Sequence, residues 1–161
     1  SYLTWAGTFY IQLKDLTPSL AFFLASAVML VSIPVSPVAG RLISRYGTKR
    51  FLVVPPLSIA VSLAAVPFLS PPWLFVAVVA LAASVPFLPP AVFTIPSVLL
   101  SPERAGLAFA VLFTCANVGF LAGPLAVGMV QDAYPSGVPS FLTMAAFAAA
   151  ALVLGFTLKT K

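Results

Sequence analysis

The chain contains no histidine, one cysteine and three acidic residues among 161. The absence of histidine removes the usual zinc or haem ligand, the Ser–His pair of many hydrolases and the side chain that titrates near neutrality. We therefore expect no metal site, no cofactor and no familiar intramembrane catalytic site. The single Cys115 cannot close a disulfide within the chain and is interpreted as a small apolar packing residue.

Charge is scarce along the whole chain. Only 7% of the residues are charged, 61% are hydrophobic, and the mean hydropathy is +1.14. Eight basic and three acidic side chains could not cover the surface of a water-soluble globule of this length. A bilayer needs no charge along its hydrocarbon belt. The composition therefore predicts an all-α integral membrane protein whose main partner is the lipid bilayer.

The few charged residues delimit the membrane spans. Most charge-free segments are as long as the roughly 20 residues that a helix needs to cross a bilayer. The segment 51–102 is too long for one crossing, and Ser70-Pro71-Pro72 predicts a turn within it, because consecutive prolines cannot continue a helix. The sequence thus predicts one six-span bundle over 1–161, with spans at 1–13, 21–40, 51–69, 73–100, 106–130 and 140–158.

The first predicted span, 1–13, is too short to cross a bilayer. It begins without a methionine or a basic leader region. We interpret it as the end of a span that starts upstream, and the chain as a fragment.

The distribution of Lys and Arg predicts the orientation of the spans. Lys14 is the only cation on one side of the membrane. Short basic loops are retained in the cytoplasm, so both termini of this segment of a multi-pass cell-membrane protein are predicted to be cytoplasmic. This distribution explains the net charge of +5 without a nucleic-acid partner. The cations on the predicted cytoplasmic side are Arg41, Arg45, Lys49, Arg50, Arg104, Lys159 and Lys161.

A basic segment, Gly40–Arg50, connects the second and third predicted spans. Taken alone, it is a cytoplasmic loop of about ten residues, in which cations fix the orientation and glycines allow close helix approach. Its spacing resembles the loop signature of the major facilitator superfamily: glycine, three residues, an acidic or amide residue, a cation, an aromatic, a glycine and a basic cluster. The cations are Arg41, Arg45, Lys49 and Arg50, and the matching residues are Gly40, Arg45, Tyr46, Gly47, Lys49 and Arg50.

Ser44 departs from this signature, because the family usually has Asp or Asn at that place. The contact that a carboxylate at this position would make with a helix terminus or an arginine therefore cannot be assigned to this chain. The departure is commoner in the C-terminal copy of the motif.

The fifth predicted span carries a second pattern. Gly119 and Gly123 lie on one helix face, which favours close approach of a neighbouring backbone, while Pro124 frees a carbonyl and favours a bend. With Gly128, the pattern resembles the family's glycine–proline span, although Val127 replaces one of its closing glycines, so we do not infer antiport. The resemblance implies the C-terminal six-helix half of a twelve-helix transporter, whose partners are the missing N-terminal half and a small-molecule substrate.

The resemblance also implies that the first, second, fourth and fifth spans line a pathway, while the third and sixth support them. The candidate pathway residues at similar depth are Trp5, Ser26, Met29, Phe87 and Asn117. An unsatisfied amide is costly in hydrocarbon, so Asn117 is expected to contact substrate or a neighbouring helix. No Asp, Glu, Lys or Arg lies deep within a predicted span, so we expect no proton carrier in this segment.

The expected function is secondary-active or facilitative transport of a small solute by alternating access, with Gly40–Arg50 as a cytoplasmic gating loop. One alternative is a six-span substrate-binding subunit of a multi-component importer, which would bind without transporting. Another is an intramembrane enzyme, but no acid, base or metal site is recognisable for it.

Overall fold

The computed structural model describes residues 2–158, and Lys159 and Lys161 of the predicted basic terminus lie outside the described residues. Within the described part the fold is helical and contains no strand, which confirms the predicted class. Five helical stretches in it are long and apolar enough to cross a membrane. The helices are α1 (Tyr2–Lys14), α2 (Pro18–Tyr46), α3 (Thr48–Ala65), α4 (Pro71–Ser84), α5 (Leu88–Leu99), α6 (Pro102–Ala133) and α7 (Val138–Thr157).

The fourth predicted span is interrupted near its middle. A 3-10 turn, Val85–Phe87, separates α4 from α5. Pro86, Pro89 and Pro90 lie at this break, and each removes a backbone donor that an uninterrupted helix would use. A similar turn, Val66–Phe68, ends α3.

The prolines of α2 and α6 do not end their helices. Pro34 and Pro37 lie inside α2, and Pro124 lies inside α6. Serine hydroxyls bond to nearby carbonyls in the proline-containing part of α2, with Ser32 Oγ donating to Val28 O over 2.6 Å and Ser36 Oγ donating to Ser32 O over 2.7 Å.

The main core joins α1, α2, α3, α4 and α7, and α6 contributes Val127 to it. At its centre the rings of Phe9 and Phe141 lie 4.0 Å apart, and Tyr10 is fully buried beside them. The Tyr10 hydroxyl is 2.9 Å from that of Tyr2, so the two phenols satisfy each other inside the apolar core.

The most extensive helix contact is between α3 and α7. Gly155 of α7 faces the Leu52 carbonyl of α3, and a Cβ at position 155 would collide with that oxygen. Pro56 lies four residues after Leu52 and has no N–H to donate to this carbonyl. The Cα–H of Gly155 points at the freed oxygen, which is the geometry of a weak Cα–H···O contact.

Lys14 connects the two loops at the end of the bundle opposite Gly47. Its Nζ donates to Pro67 O over 2.9 Å and to Leu69 O over 2.6 Å. The ammonium group therefore satisfies carbonyls at the C-terminal end of the third span, where a cation is favoured. These two bonds give Lys14 a structural role at this end of the bundle.

We expect Gly155→Ala to destabilise the chain by about 1–3 kcal/mol, because the added methyl group must push α7 away from the Leu52 carbonyl. Thermal unfolding of the purified chain in detergent measures the effect. Gly106→Ala is the matched control, since the Cβ position of Gly106 has no neighbour within 4 Å. Equal melting temperatures for the two variants would contradict the close α3–α7 contact.

Candidate functional site

Gly47 alone separates α2 from α3. Its φ of 88° lies in the left-handed region, which a glycine adopts without strain. Its N–H donates to Ile43 O over 2.9 Å and so caps the C-terminus of α2. Thr48 follows directly as the first residue of α3 and is buried.

The prediction of a loop of about ten residues at Gly40–Arg50 is therefore wrong in the length of the loop. Its residues belong to the last two turns of α2 and the first turn of α3, with only Gly47 between them. The cations on these turns are exposed, so continuing the helices buries no charge, and the positive φ of Gly47 allows the chain to turn between them.

All four cations of this segment, Arg41, Arg45, Lys49 and Arg50, are exposed. The guanidinium carbon of Arg45 lies 5.5 Å from the centre of the Tyr46 ring, within cation–π distance. Ser44, which replaces the expected acidic or amide residue, donates its hydroxyl to Gly40 O over 3.0 Å. Gly40 itself has open space where a Cβ would be.

Phe87, a predicted pathway residue, packs between α3 and the fourth-span break. Its ring stacks on Phe51 with centres 5.3 Å apart and planes 16° apart. Both rings line a cleft of about 330 Å³ between α3 and the 3-10 turn, which Tyr46 and Arg50 also line. We refer to it as the α3 cleft.

Met29, another predicted pathway residue, lies on an open face of α2. It lines a cavity of about 450 Å³ together with Ser32 and Ser36 of α2 and Val85 of the fourth-span break. Ser26 is exposed one turn earlier on α2. This cavity opens beside the middle of two helices that the resemblance assigns to the pathway.

Trp5 is part of α1, and its side chain packs against α6. A Cβ on Gly128 would be 3.2 Å from Trp5 Cζ2, so the indole packs directly against this glycine. Trp5 Nε1 is buried and has no hydrogen-bond partner among the described residues. A small cavity of about 90 Å³ adjoins it, with Thr8 and Gln131 in its lining.

Asn117 is exposed near the middle of α6. Its Nδ2 donates to Phe113 O, one turn earlier, over 2.8 Å. The second amide hydrogen and Oδ1 remain available for other partners. Since 11 residues are close to three helical turns, Asn117 and Gly128 lie on the same side of α6, about 16 Å apart along its axis.

Gly119 and Gly123, the predicted packing pair, have no atom within 4 Å of where a Cβ would lie. Within the described residues, the expected close approach of a helix is therefore not present at these two positions. It is present one turn beyond Pro124, at Gly128. The spacing of small residues did not specify which of them has a neighbour in this chain.

The five predicted pathway residues thus do not form one pocket. Trp5, Met29 and Phe87 line three different cavities, while Ser26 and Asn117 are exposed on helix faces. Sequence reasoning missed Ser32, Ser36 and Gln131. Their signal was present, because two serines spaced by four residues near mid-depth share one helix face, and Gln131 adjoins Asp132 at the end of a span.

The comparison with protein families agrees with this architecture. A profile described as Major Facilitator Superfamily matches residues 2–161. The chain belongs to this superfamily. It is accordingly a multi-pass membrane protein of a family of transporters that move small solutes. Searches of curated proteins and of solved structures found no match to this facilitator-family chain.

We expect Gly128→Leu to displace the Trp5 indole and to destabilise the chain by about 1–3 kcal/mol, because the added side chain overfills the α1–α6 contact. Acrylamide quenching of Trp5 fluorescence should increase. The measurement is made in a Trp73→Phe background, which leaves Trp5 as the single tryptophan of the chain. Gly123→Leu on the same helix is the control, since its Cβ position is open. Unchanged quenching in Gly128→Leu would show that Trp5 does not pack on Gly128.

Proposed function

We propose that this chain is the C-terminal six-span half of a twelve-span carrier that moves a small solute by alternating access. The missing N-terminal half would pack on the faces of α2 and α6 that are open here. The observation that carries the proposal is the uneven packing of the bundle. The third and sixth spans pack extensively on each other, whereas Val127 is the one buried residue among the described residues of α6.

The position of polar groups supports a pathway along these open faces. Ser32 and Ser36 of α2 lie near its middle, and Asn117 lies near the middle of α6. Each donates to a carbonyl of its own helix and retains oxygen lone pairs for a further partner. Polar side chains at this depth are costly in lipid, so we place them toward a solute or the other half of the carrier.

The chemistry of these faces favours a neutral solute. The cavity beside Met29 is lined by apolar side chains and two hydroxyls, with no ionisable group among its lining residues. Trp5 Nε1 offers an unused donor and Asn117 offers both a donor and an acceptor. Proton coupling, or the counter-charge for an ionic solute, would have to come from the N-terminal half.

The Gly40–Arg50 segment would act as the cytoplasmic gate of this half. Gly47 forms a one-residue hinge between α2 and α3, and the surrounding cations are free to contact the other half. In this arrangement the Gly40–Arg50 segment and both termini of the chain face the cytoplasm. Rocking of the two halves about a midplane site would alternately close this side and the opposite side.

Family membership favours the carrier over the six-span binding subunit, because the family consists of transporters. One measurement, solute transport into liposomes, distinguishes the two proposals. The carrier, reconstituted as the whole protein in liposomes, transports solute without partner subunits. The binding subunit would bind solute and leave it outside.

We expect Asn117→Ala to lower kcat/KM for uptake of small neutral solutes at least about tenfold, if Asn117 bonds to the solute in the transport cycle. The measurement is uptake into liposomes that contain the whole carrier. Thr143→Val is the control, because its hydroxyl bonds to Pro139 O within α7, one of the supporting spans. Equal losses in both variants would remove Asn117 from the pathway.

We expect Arg45→Ala to lower uptake several-fold while insertion into the membrane is unchanged, because the variant removes the guanidinium that lies over Tyr46 beside the Gly47 hinge. Arg45→Lys keeps the charge but not the planar group, and we expect it to restore uptake only in part. The amount of protein in the membrane provides the control for insertion. Unchanged uptake in Arg45→Ala would exclude this segment from gating.

A further inference from the structure

The α3 cleft shares no lining residue with the cavity beside Met29. Phe51, Val54 and Pro55 form its α3 side, while Ala83, Ser84 and Phe87 form the side of the fourth-span break. The Val54 side chain is 61% exposed, so the cleft is open along its length. Its walls belong to the third span, which has a supporting role, and to the part of the fourth span that faces α3.

The end of the α3 cleft next to Gly47 is basic. Arg50 and Tyr46 line this end, and the guanidinium carbon of Arg45 lies 5.5 Å from the centre of the Tyr46 ring. One guanidinium group and one phenol therefore line the mouth of a largely apolar cleft, and a second guanidinium group, that of Arg45, lies beside the phenol. The rest of the cleft is lined by uncharged residues, among them Ser84, whose hydroxyl is 2.9 Å from that of Ser58.

These cations have no acidic neighbour within their own segment. The three acidic residues of the chain are Asp15, Glu103 and Asp132, all outside Gly40–Arg50. Ser44, where the family signature usually has an acidic or amide residue, directs its hydroxyl to a helix carbonyl. The charge at the cleft mouth is thus complementary to an anion at the level of the lipid headgroups.

We infer that the α3 cleft binds one anionic glycerophospholipid. Its phosphate would lie between the guanidinium groups of Arg45 and Arg50 and accept a hydrogen bond from the Tyr46 hydroxyl. One acyl chain would extend along Phe51, Val54 and Phe87. This inference does not depend on which solute the carrier moves.

Guanidinium groups suit this task because their planar donors match phosphate oxygens in pairs. A zwitterionic lipid would bring its own ammonium group beside two guanidinium groups, so the cleft should prefer a lipid with net negative charge. A bound acyl chain would also contact both sides of the Phe51–Phe87 stack. It would thereby hold the interrupted fourth span against α3.

The first experiment measures the affinity of the delipidated whole protein for dioleoylphosphatidylglycerol by native mass spectrometry, with dioleoylphosphatidylcholine for comparison. We expect tighter binding of phosphatidylglycerol, and a loss of about tenfold or more in the double variant Arg45→Gln, Arg50→Gln. The matched control is Arg41→Gln, Lys49→Gln, which removes the same charge from exposed side chains that do not line the cleft. Its loss should be less than about threefold and should disappear at high salt.

Equal losses in the two double variants would show diffuse attraction between the basic segment and anionic lipid, and would overturn the cleft site. Equal affinity of the wild-type protein for the two lipids would overturn it as well. Each variant is compared with the wild type by elution volume and by helical circular dichroism, so that misfolded protein is not counted as loss of binding.

The second experiment leaves every charge in place. Val54→Trp fills the middle of the α3 cleft, and we expect about a tenfold loss of phosphatidylglycerol affinity because the acyl chain is displaced. Val61→Trp is the control, since Val61 is exposed about two turns further along the same face of α3 and does not line the cleft. Wild-type affinity in Val54→Trp would show that the lipid chain does not lie in this cleft.

Discussion

The structure depends on one constraint: the hydrocarbon of a bilayer offers no hydrogen-bond partner to the backbone or to polar side chains. The described chain meets it by helix formation and by side chains that bond to their own helix. Polar side chains donate to the carbonyl four residues earlier at eight positions, which are Ser32, Ser36, Ser44, Ser84, Thr94, Thr114, Asn117 and Thr143. The sixteen prolines reduce the number of hydrogen bonds that the helices can form, because each lacks a backbone N–H.

The fold differs between spans in how it accommodates the prolines. In the fourth span they interrupt the helix at Val85–Phe87, and the Ser58–Ser84 hydroxyl contact joins α3 to the broken segment. In α3, Pro56 frees the Leu52 carbonyl, and Gly155 brings the α7 backbone against it. The resulting α3–α7 contact forms one side of the bundle. The faces of α2 and α6 with Met29 and Asn117 then remain open.

Much of the fold could be predicted because charge positions and proline positions act locally. The all-helical membrane class and the interruption of the fourth span follow from where charges and prolines occur. The extent of the basic loop could not be predicted, since the cations of Gly40–Arg50 are compatible with exposed helical turns as well as with a loop. The estimated depth of a residue in the membrane was also insufficient to predict which residues line the same cavity. Phe87 lies at a similar estimated depth to Met29 but faces α3, because the 3-10 turn changes the direction in which successive side chains point. The contact at Gly155 depends on the partner backbone, which no local pattern reveals.

The central claim is that the open faces of α2 and α6 line a water-filled solute pathway. Its most direct test is the reactivity of single cysteines with a charged, water-soluble thiosulfonate reagent in sealed vesicles, after replacement of Cys115 by serine. Asn117→Cys tests the proposed pathway side of α6. Val153→Cys tests the side of α7 opposite Gly155, which should face lipid. The account predicts rapid modification at position 117 and little at position 153. Equal reactivity, or faster modification at position 153, would contradict it.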